Sequence, residues 1–164
     1  MSDSTNICLS CGLCCDGTVI GFVQVGCEEL PLLRDVIDIE NTNGDGFFLQ
    51  PCKKYCDGCT IYSRRPKQCA SFECGILKSI EKQELDFDSA LDIINVVKQK
   101  KFTIERELAV QQFNLQSQSF YFKMGEVKKL FQKKSPDLAL TPSQLNLIEE
   151  IKQLDNLLAN EFDV

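Results

Sequence analysis

Cys8-Leu9-Ser10-Cys11-Gly12-Leu13-Cys14-Cys15 places four cysteines in eight positions, and no other stretch of the 164-residue chain is so constrained in composition or spacing. Two intervening residues let consecutive thiolates bend back onto one ion at roughly 2.3 Å, which is why paired CxxC spacing recurs in zinc sites and iron-sulfur clusters. Two overlapping pairs plus a vicinal cysteine form a far more specific signal than one pair. The stretch therefore reads as half of a metal site, and it needs partners elsewhere in the chain.

Composition limits what those partners are. The chain has 10 cysteines and no histidine, which removes Cys/His zinc fingers, histidine bases and Cys-His nucleophilic pairs together and leaves thiolates and carboxylates as ligands. The start MSDSTNIC has neither a basic nor an apolar signal region, and no run approaches about 20 apolar residues. A cytoplasmic protein without a membrane span is expected. In that reducing setting clustered cysteines read as metal ligands, with a disulfide framework as the alternative that an even count allows. At this length one domain is expected. Its first half has few long apolar runs, so metal ligation, worth roughly 10–16 kcal/mol in small zinc peptides, would help to organise it.

The net charge of −6 is unevenly spread. Residues 1–51 carry one base, Arg34, against eight acids; residues 52–75 carry Lys53, Lys54, Arg64, Arg65 and Lys67 against Asp57 and Glu73. That basic island coincides with a second cysteine cluster. Thiolate sites are net negative, so adjacent cations neutralise them and lower cysteine pKa values. An acidic chain with one short basic island argues against a nucleic-acid partner.

Thr18 to Val25 is β-branched and partly alternating, which predicts a short strand, and Leu30, Leu33 and Ile37 at helical spacing predict a helix within Glu28 to Ile37 with Pro31 in its first turn. Asn41, Asn43, Asp45 and Gly46 imitate the opening of an EF-hand loop, but its twelfth position is Cys52 instead of a bidentate glutamate, so the stretch reads as a turn. The second cluster follows, with Cys52, Cys56, Cys59, Cys69 and Cys74. Asp57-Gly58 is a tight turn that directs Cys59 back toward Cys52 or Cys56. Ile61 to Arg65 reads as extended ahead of Pro66, which begins a helical turn carrying Cys69. Tyr62 reads as a packing residue.

The ordered set of CxxCGxCC at Cys8–Cys15, then Cys52, CTIY at Cys59–Tyr62, RPKQC at Arg65–Cys69 and Phe72–Cys74 resembles the YkgJ-like CxxCxxCC family, described as a zinc- or iron-chelating domain. The resemblance covers residues 8–75. It implies a cysteine-ligated site built from Cys8, Cys11, Cys14, Cys15, Cys52, Cys59, Cys69 and Cys74. Cys56 and Cys27 fall outside the pattern and are the weaker candidates, Cys27 reading as a small hydrophobe. Ala70 stands where the family usually has an arginine. The resemblance extends to flagellin lysine N-methylases, a larger elaboration of the same module, so an enzyme using S-adenosylmethionine is the rival reading.

Adjacent cysteines in extended backbone point to opposite faces, so Cys14 and Cys15 do not readily serve one tetrahedral ion. Eight ligands with one vicinal pair suit two sites or one binuclear site; one site of four with spare thiols is the alternative. Zinc and an iron-sulfur cluster remain equally open as cofactors, two metal ions are compatible with either count, and mononuclear iron comes third.

After Cys74 the chain becomes amphipathic. Leu91, Ile94 and Val97 share a helical face within Ser89 to Lys101, and Ile104 to Phe113 continues it. Ser119 to Met124 alternates and predicts a short strand before Gly125; Val127, Leu130 and Phe131 mark a short helix ended by Pro136. Thr141-Pro142-Ser143-Gln144 is a capping box ahead of Leu147, Ile151, Leu154 and Leu158, predicting a helix about 27 Å long. Two heptads are too few for a coiled coil, so packing within the domain, and hence a monomer, is favoured. Lysines 100, 101, 128, 129, 133 and 134 read as solvated faces. The expected fold is α+β and mainly helical: a cysteine-rich, metal-organised and irregular half, residues 1–75, with one or two short strands, then a helical scaffold, residues 76–164, packed on it as one domain. The expected function is a cytoplasmic metal-binding protein, or metal carrier, whose helical half offers a surface to a protein partner. No P-loop or GxGxxG turn suggests a nucleotide cosubstrate.

Overall fold

A computed structural model describes residues 3–133 and 140–164. The chain is mainly helical with a single three-stranded antiparallel sheet among the described residues. Helix α1 (Asp3–Cys11) leads into the thiol loop, followed by β1 (Phe22–Val25), the one-turn α2 (Leu30–Leu33), β2 (Glu40–Thr42) and β3 (Asp45–Leu49). A 3-10 turn (Tyr62–Arg64), α3 (Lys67–Ser71) and α4 (Gly75–Glu81) then precede the long helices α5 (Phe87–Gln111), α6 (Phe120–Lys133) and α7 (Pro142–Phe162).

The long helices start and stop for local reasons. At α5 the Asp86 carboxylate accepts from the Ser89 N–H at 2.9 Å, and the helix ends where Gln112 turns left-handed at φ +51°. Its buried stripe, Ala90, Ile94, Val97, Ile104 and Leu108, keeps a helical period for about five turns. The capping box at Thr141 and Gln144 forms with both hydrogen bonds, Pro142 stands in the first turn, and α7 buries Leu147, Ile151, Leu154 and Phe162. At 21 residues it is about 31 Å long at 1.5 Å per residue. Helices α5 and α7 pack along each other, with α1 and α4 against them. Ile7, Leu13 and Val19 from the first twenty residues enter the same core as these helices.

A second, smaller core lies under the sheet. Strand order is β1-β3-β2, with Val23 opposite Phe48, so Val23, Val25 and Phe48 share the inner face with Leu30, Leu33, Ile37 and Ile61. The EF-hand imitation is the β2–β3 hairpin turn: Asn43 and Gly44 have φ of +46° and +103°, the two positive values of a type I′ loop.

The structure corrects several expectations. Ser119 to Met124 is no strand but the start of α6. Phe120, Met124 and Val127 face the helical core while Phe122 reaches the other way to Phe22 on β1, ring centroids 6.4 Å apart. Two partners on opposite sides of one helix imitate strand alternation. The N-terminal half is less irregular than expected, because Cys8 and Cys11 lie on α1. The helix within Glu28 to Ile37 shrinks to α2, although Leu30, Leu33 and Ile37 are all buried as its spacing predicts. Ahead of Pro66 only Arg65 is extended; Tyr62 to Arg64 close a 3-10 turn. Lys100 and Lys101 are not free in solvent: Lys100 pairs with Glu150 and Lys101 with Asp16, with about a quarter or less of each side chain exposed. Lys128 pairs with Asp155, whereas Lys129 and Lys133 are exposed. Pro136 and Lys134 lie outside the described residues.

Candidate functional site

The thiols of Cys8 and Cys11 sit three apart on the last turn of α1, hence on one face. Gly12 ends that helix at φ +70°, and a Cβ there would lie 2.5 Å from the Tyr55 ring, so only glycine fits the turn. Leu13, fully buried, then anchors the loop: its carbonyl accepts from the N–H groups of Thr18 and Val19, each at 3.0 Å. Asp16 accepts from the Thr18 N–H and hydroxyl and pairs with Lys101 at 2.9 Å. Lys98 donates to the Ser10 carbonyl at 3.0 Å, placing a cation at the C-terminal end of α1. The loop is thus tied from two turns of α5.

The second cluster is tied to the first through backbone. The Cys52 N–H donates to the Cys15 carbonyl at 2.8 Å, and the Lys54 N–H donates to the Cys52 sulfur at 3.4 Å. Asp57 and Gly58 take positive φ, and a bridge between Tyr55 and Cys59 closes the loop, so Cys59 turns back as its spacing predicts. Pro66 precedes α3, which carries Cys69, and Cys74 stands at the start of α4.

A cavity of about 310 Å³ lies between the two cores, and Cys8, Cys11, Cys14, Cys15, Cys52, Cys59, Cys69 and Cys74 all line it. These are the eight positions that the resemblance implies. Cys27 and Cys56 are exposed and do not line it. All ten cysteines are free thiols. Packing divides the eight. Cys8, Cys11, Cys14 and Cys74 lie against the helical core, whereas Cys52, Cys59 and Cys69 lie against the sheet core. Cys15 joins the second group through a hydrogen bond with Cys59 and the nearby Cys52. Cys14 feels Cys11, Cys74 and Cys8 most and Cys69 after them, and the vicinal pair sits in a turn, with the Asp16 N–H donating to the Gly12 carbonyl at 2.9 Å, where the sequence suggests extended backbone.

The electrostatics follow the same division. Burial pushes the Cys11 thiol up to about 12, with Cys74 and Cys8 adding to the rise. Burial does the same at Cys69, also to about 12, with Cys52 and Cys59 adding. Cys8, Cys14, Cys52 and Cys74 are raised chiefly by burial as well. Cys59 is the exception. The Cys15 hydrogen bond brings it down to about 6 and holds the proton on Cys15, which is raised. Burial of thiols penalises the thiolate form unless a cation shares the space.

Among the described residues, no group of three or more Cys, Asp or Glu side chains is arranged to hold an ion as it stands. Metal ligation at about 2.3 Å requires the thiols to lose their protons. The donor set nonetheless fits zinc or an iron-sulfur cluster, since both take soft thiolates in fours.

Sequence reasoning overlooked Lys98 and Gln50, took Lys101 for a solvated lysine, and named Arg65 only as one of the basic island beside the second cluster. Arg65 lines the cavity with its guanidinium carbon 3.7 Å from the Tyr62 ring centroid, and Gln50 lines it fully buried. The basic island was the sequence signal for Arg65. No helix among the described residues is long and apolar enough to cross a membrane. Comparison with protein-family models, curated proteins and solved structures finds no match to this chain.

Proposed function

We propose that this chain is a cytoplasmic metal-binding protein with two four-thiolate centres, one from Cys8, Cys11, Cys14 and Cys74 and one from Cys15, Cys52, Cys59 and Cys69, each taking zinc or an iron-sulfur cluster. The observation that carries it is the cavity lined by eight of the ten cysteines: four pack against the helical core, three against the sheet core, and Cys15 joins the three through its hydrogen bond with Cys59. Eight unpaired thiols around one buried space have no purely structural need to be there, because ordinary apolar side chains would fill it more stably. When bound, a structural zinc supplies folding free energy and a cluster supplies one-electron chemistry.

Elemental analysis of anaerobically purified protein, read beside its visible absorption, tests this. Two zinc ions in a colourless protein, or iron and sulfide with a brown absorption, support the reading; protein free of metal after reducing, metal-replete purification overturns it. Cys11→Ser and Cys69→Ser are each expected to remove the metal of one centre and leave the other's. Loss of all metal from either variant would favour one binuclear site. The methylase alternative rests on the resemblance alone. Failure to bind S-adenosylmethionine and to methylate a lysine-rich protein would remove it.

A further inference from the structure

Among the described residues Arg65 is the one cation that lines the thiol cavity, and its Nε and Nη1 are buried without an acceptor there. Its guanidinium carbon lies 3.7 Å from the Tyr62 ring centroid, a cation–π contact that holds the fork in place. A guanidinium with two buried, unpaired donors is costly, so the pocket needs an anion to complete it. The only candidates among the lining side chains, apart from Glu73 and Glu81 at the rim of α4, are the thiolates. Arg65 shares the cavity wall with the four thiols of the first group and the four of the second.

Resting on the two-centre reading, we propose that Arg65 is a positioning residue shared by both centres: its N–H groups donate to sulfurs of each thiolate set, and its permanent charge separates two anionic centres that would otherwise repel. A divalent ion with four thiolates is formally −2, so filling one centre opposes filling the other unless a cation lies between them. Arg65 therefore makes the two fillings similar in affinity. Without it the second filling becomes harder than the first.

Cobalt(II) titration of reduced, metal-free protein reads both steps through thiolate-to-metal absorption. Wild type is expected to take two ions in one unresolved phase. Arg65→Gln is expected to take the first with little change and the second about 10–100-fold more weakly, the range for losing an outer-shell partner. Arg65→Met, which keeps the packing on Tyr62, should behave like Arg65→Gln if the glutamine variant folds poorly. Arg65→Lys, which keeps the charge without the fork, should fall between. A merely structural arginine would weaken both steps together or neither, and either result in Arg65→Met overturns the proposal while leaving the two-centre reading intact. Wild type that takes up no cobalt overturns the two-centre reading itself, and this inference with it.

Discussion

The two thiol groups are built on different foundations. Cys8, Cys11, Cys14 and Cys74 stand on or beside α1 and α4, which lean on 25- and 21-residue helices with full caps and long buried stripes. Cys52, Cys59 and Cys69 hang on tight turns, a 3-10 turn and a five-residue helix around a seven-residue core. The first half-site is held by ordinary packing. The second has little apolar burial of its own. The difference teaches where a bound metal would matter most under the proposed function: a half-site already held by packing would gain little order from it, and one resting on turns would gain much, with Cys14 and Cys15 as the joint.

Metal removal tests that contrast most strongly. Chelation under reducing conditions is expected to speed amide exchange across residues 20–72 by orders of magnitude, since structural zinc is worth roughly 10 kcal/mol, while α5 and α7 keep their protection. Uniform exchange across the chain would break the comparison. Next in size, Leu154→Ala empties a site that is 1% exposed in the helical core, and urea unfolding should show a loss of about 2–5 kcal/mol with metal stoichiometry unchanged. Lys101→Met unties the first thiol loop from α5 by leaving Asp16 unpaired in a part-buried site. A loss of about 1–3 kcal/mol is expected, with faster exchange confined to residues 13–19.

The pH dependence of the metal-free protein sharpens the comparison further. Cys8, Cys11, Cys14, Cys15, Cys52, Cys69 and Cys74 are raised above their ordinary 9.0. The stability they contribute is whole below about pH 9 and is lost as pH rises toward their folded values, about 12 at Cys11 and Cys69. Cys59, lowered to about 6, contributes in the opposite sense: its share is present above about pH 9 and is lost as pH falls through 6. Seven outweigh one, so the urea midpoint should fall from pH 8 to pH 10 in the metal-free form and stay level with metal bound. The smallest effect is expected at Cys27→Ser and Cys56→Ser. Both residues are exposed, and each change should cost under about 0.5 kcal/mol with full metal retained; metal loss equal to that of Cys69→Ser would dissolve the division into ligands and spares.

Much of the site was legible because thiol spacing is local. The Asp57-Gly58 turn and the helical turn after Pro66 act within a few residues and form as read, whereas the helix under Cys8 and Cys11 and the glycine that ends it were not read from the sequence. The strand expected at Ser119 to Met124 failed for the opposite reason. Its alternation records two tertiary partners, the helical core at Phe120 and Phe22 at Phe122, and periodicity alone cannot separate that from a pleat. Lys100 and Lys101 failed likewise, since a lysine in a helix is solvated or paired according to what another helix brings, here Glu150 and the thiol loop's Asp16.

By itself, then, the sequence determined which metal-binding side chains are available, thiols and carboxylates without histidine, and the caps and stripe of the last helix, through local hydrogen bonding and a 3.6-residue period. Only the tertiary structure decided which thiols stand together. Cys52 and Cys15 lie 37 positions apart and Cys8 and Cys74 lie 66 apart, and chain separation carries no information about which of two cores a side chain will face. Arg65 belongs to the same class of fact, because its two unpaired donors acquire meaning only from the eight sulfurs the fold gathers around them.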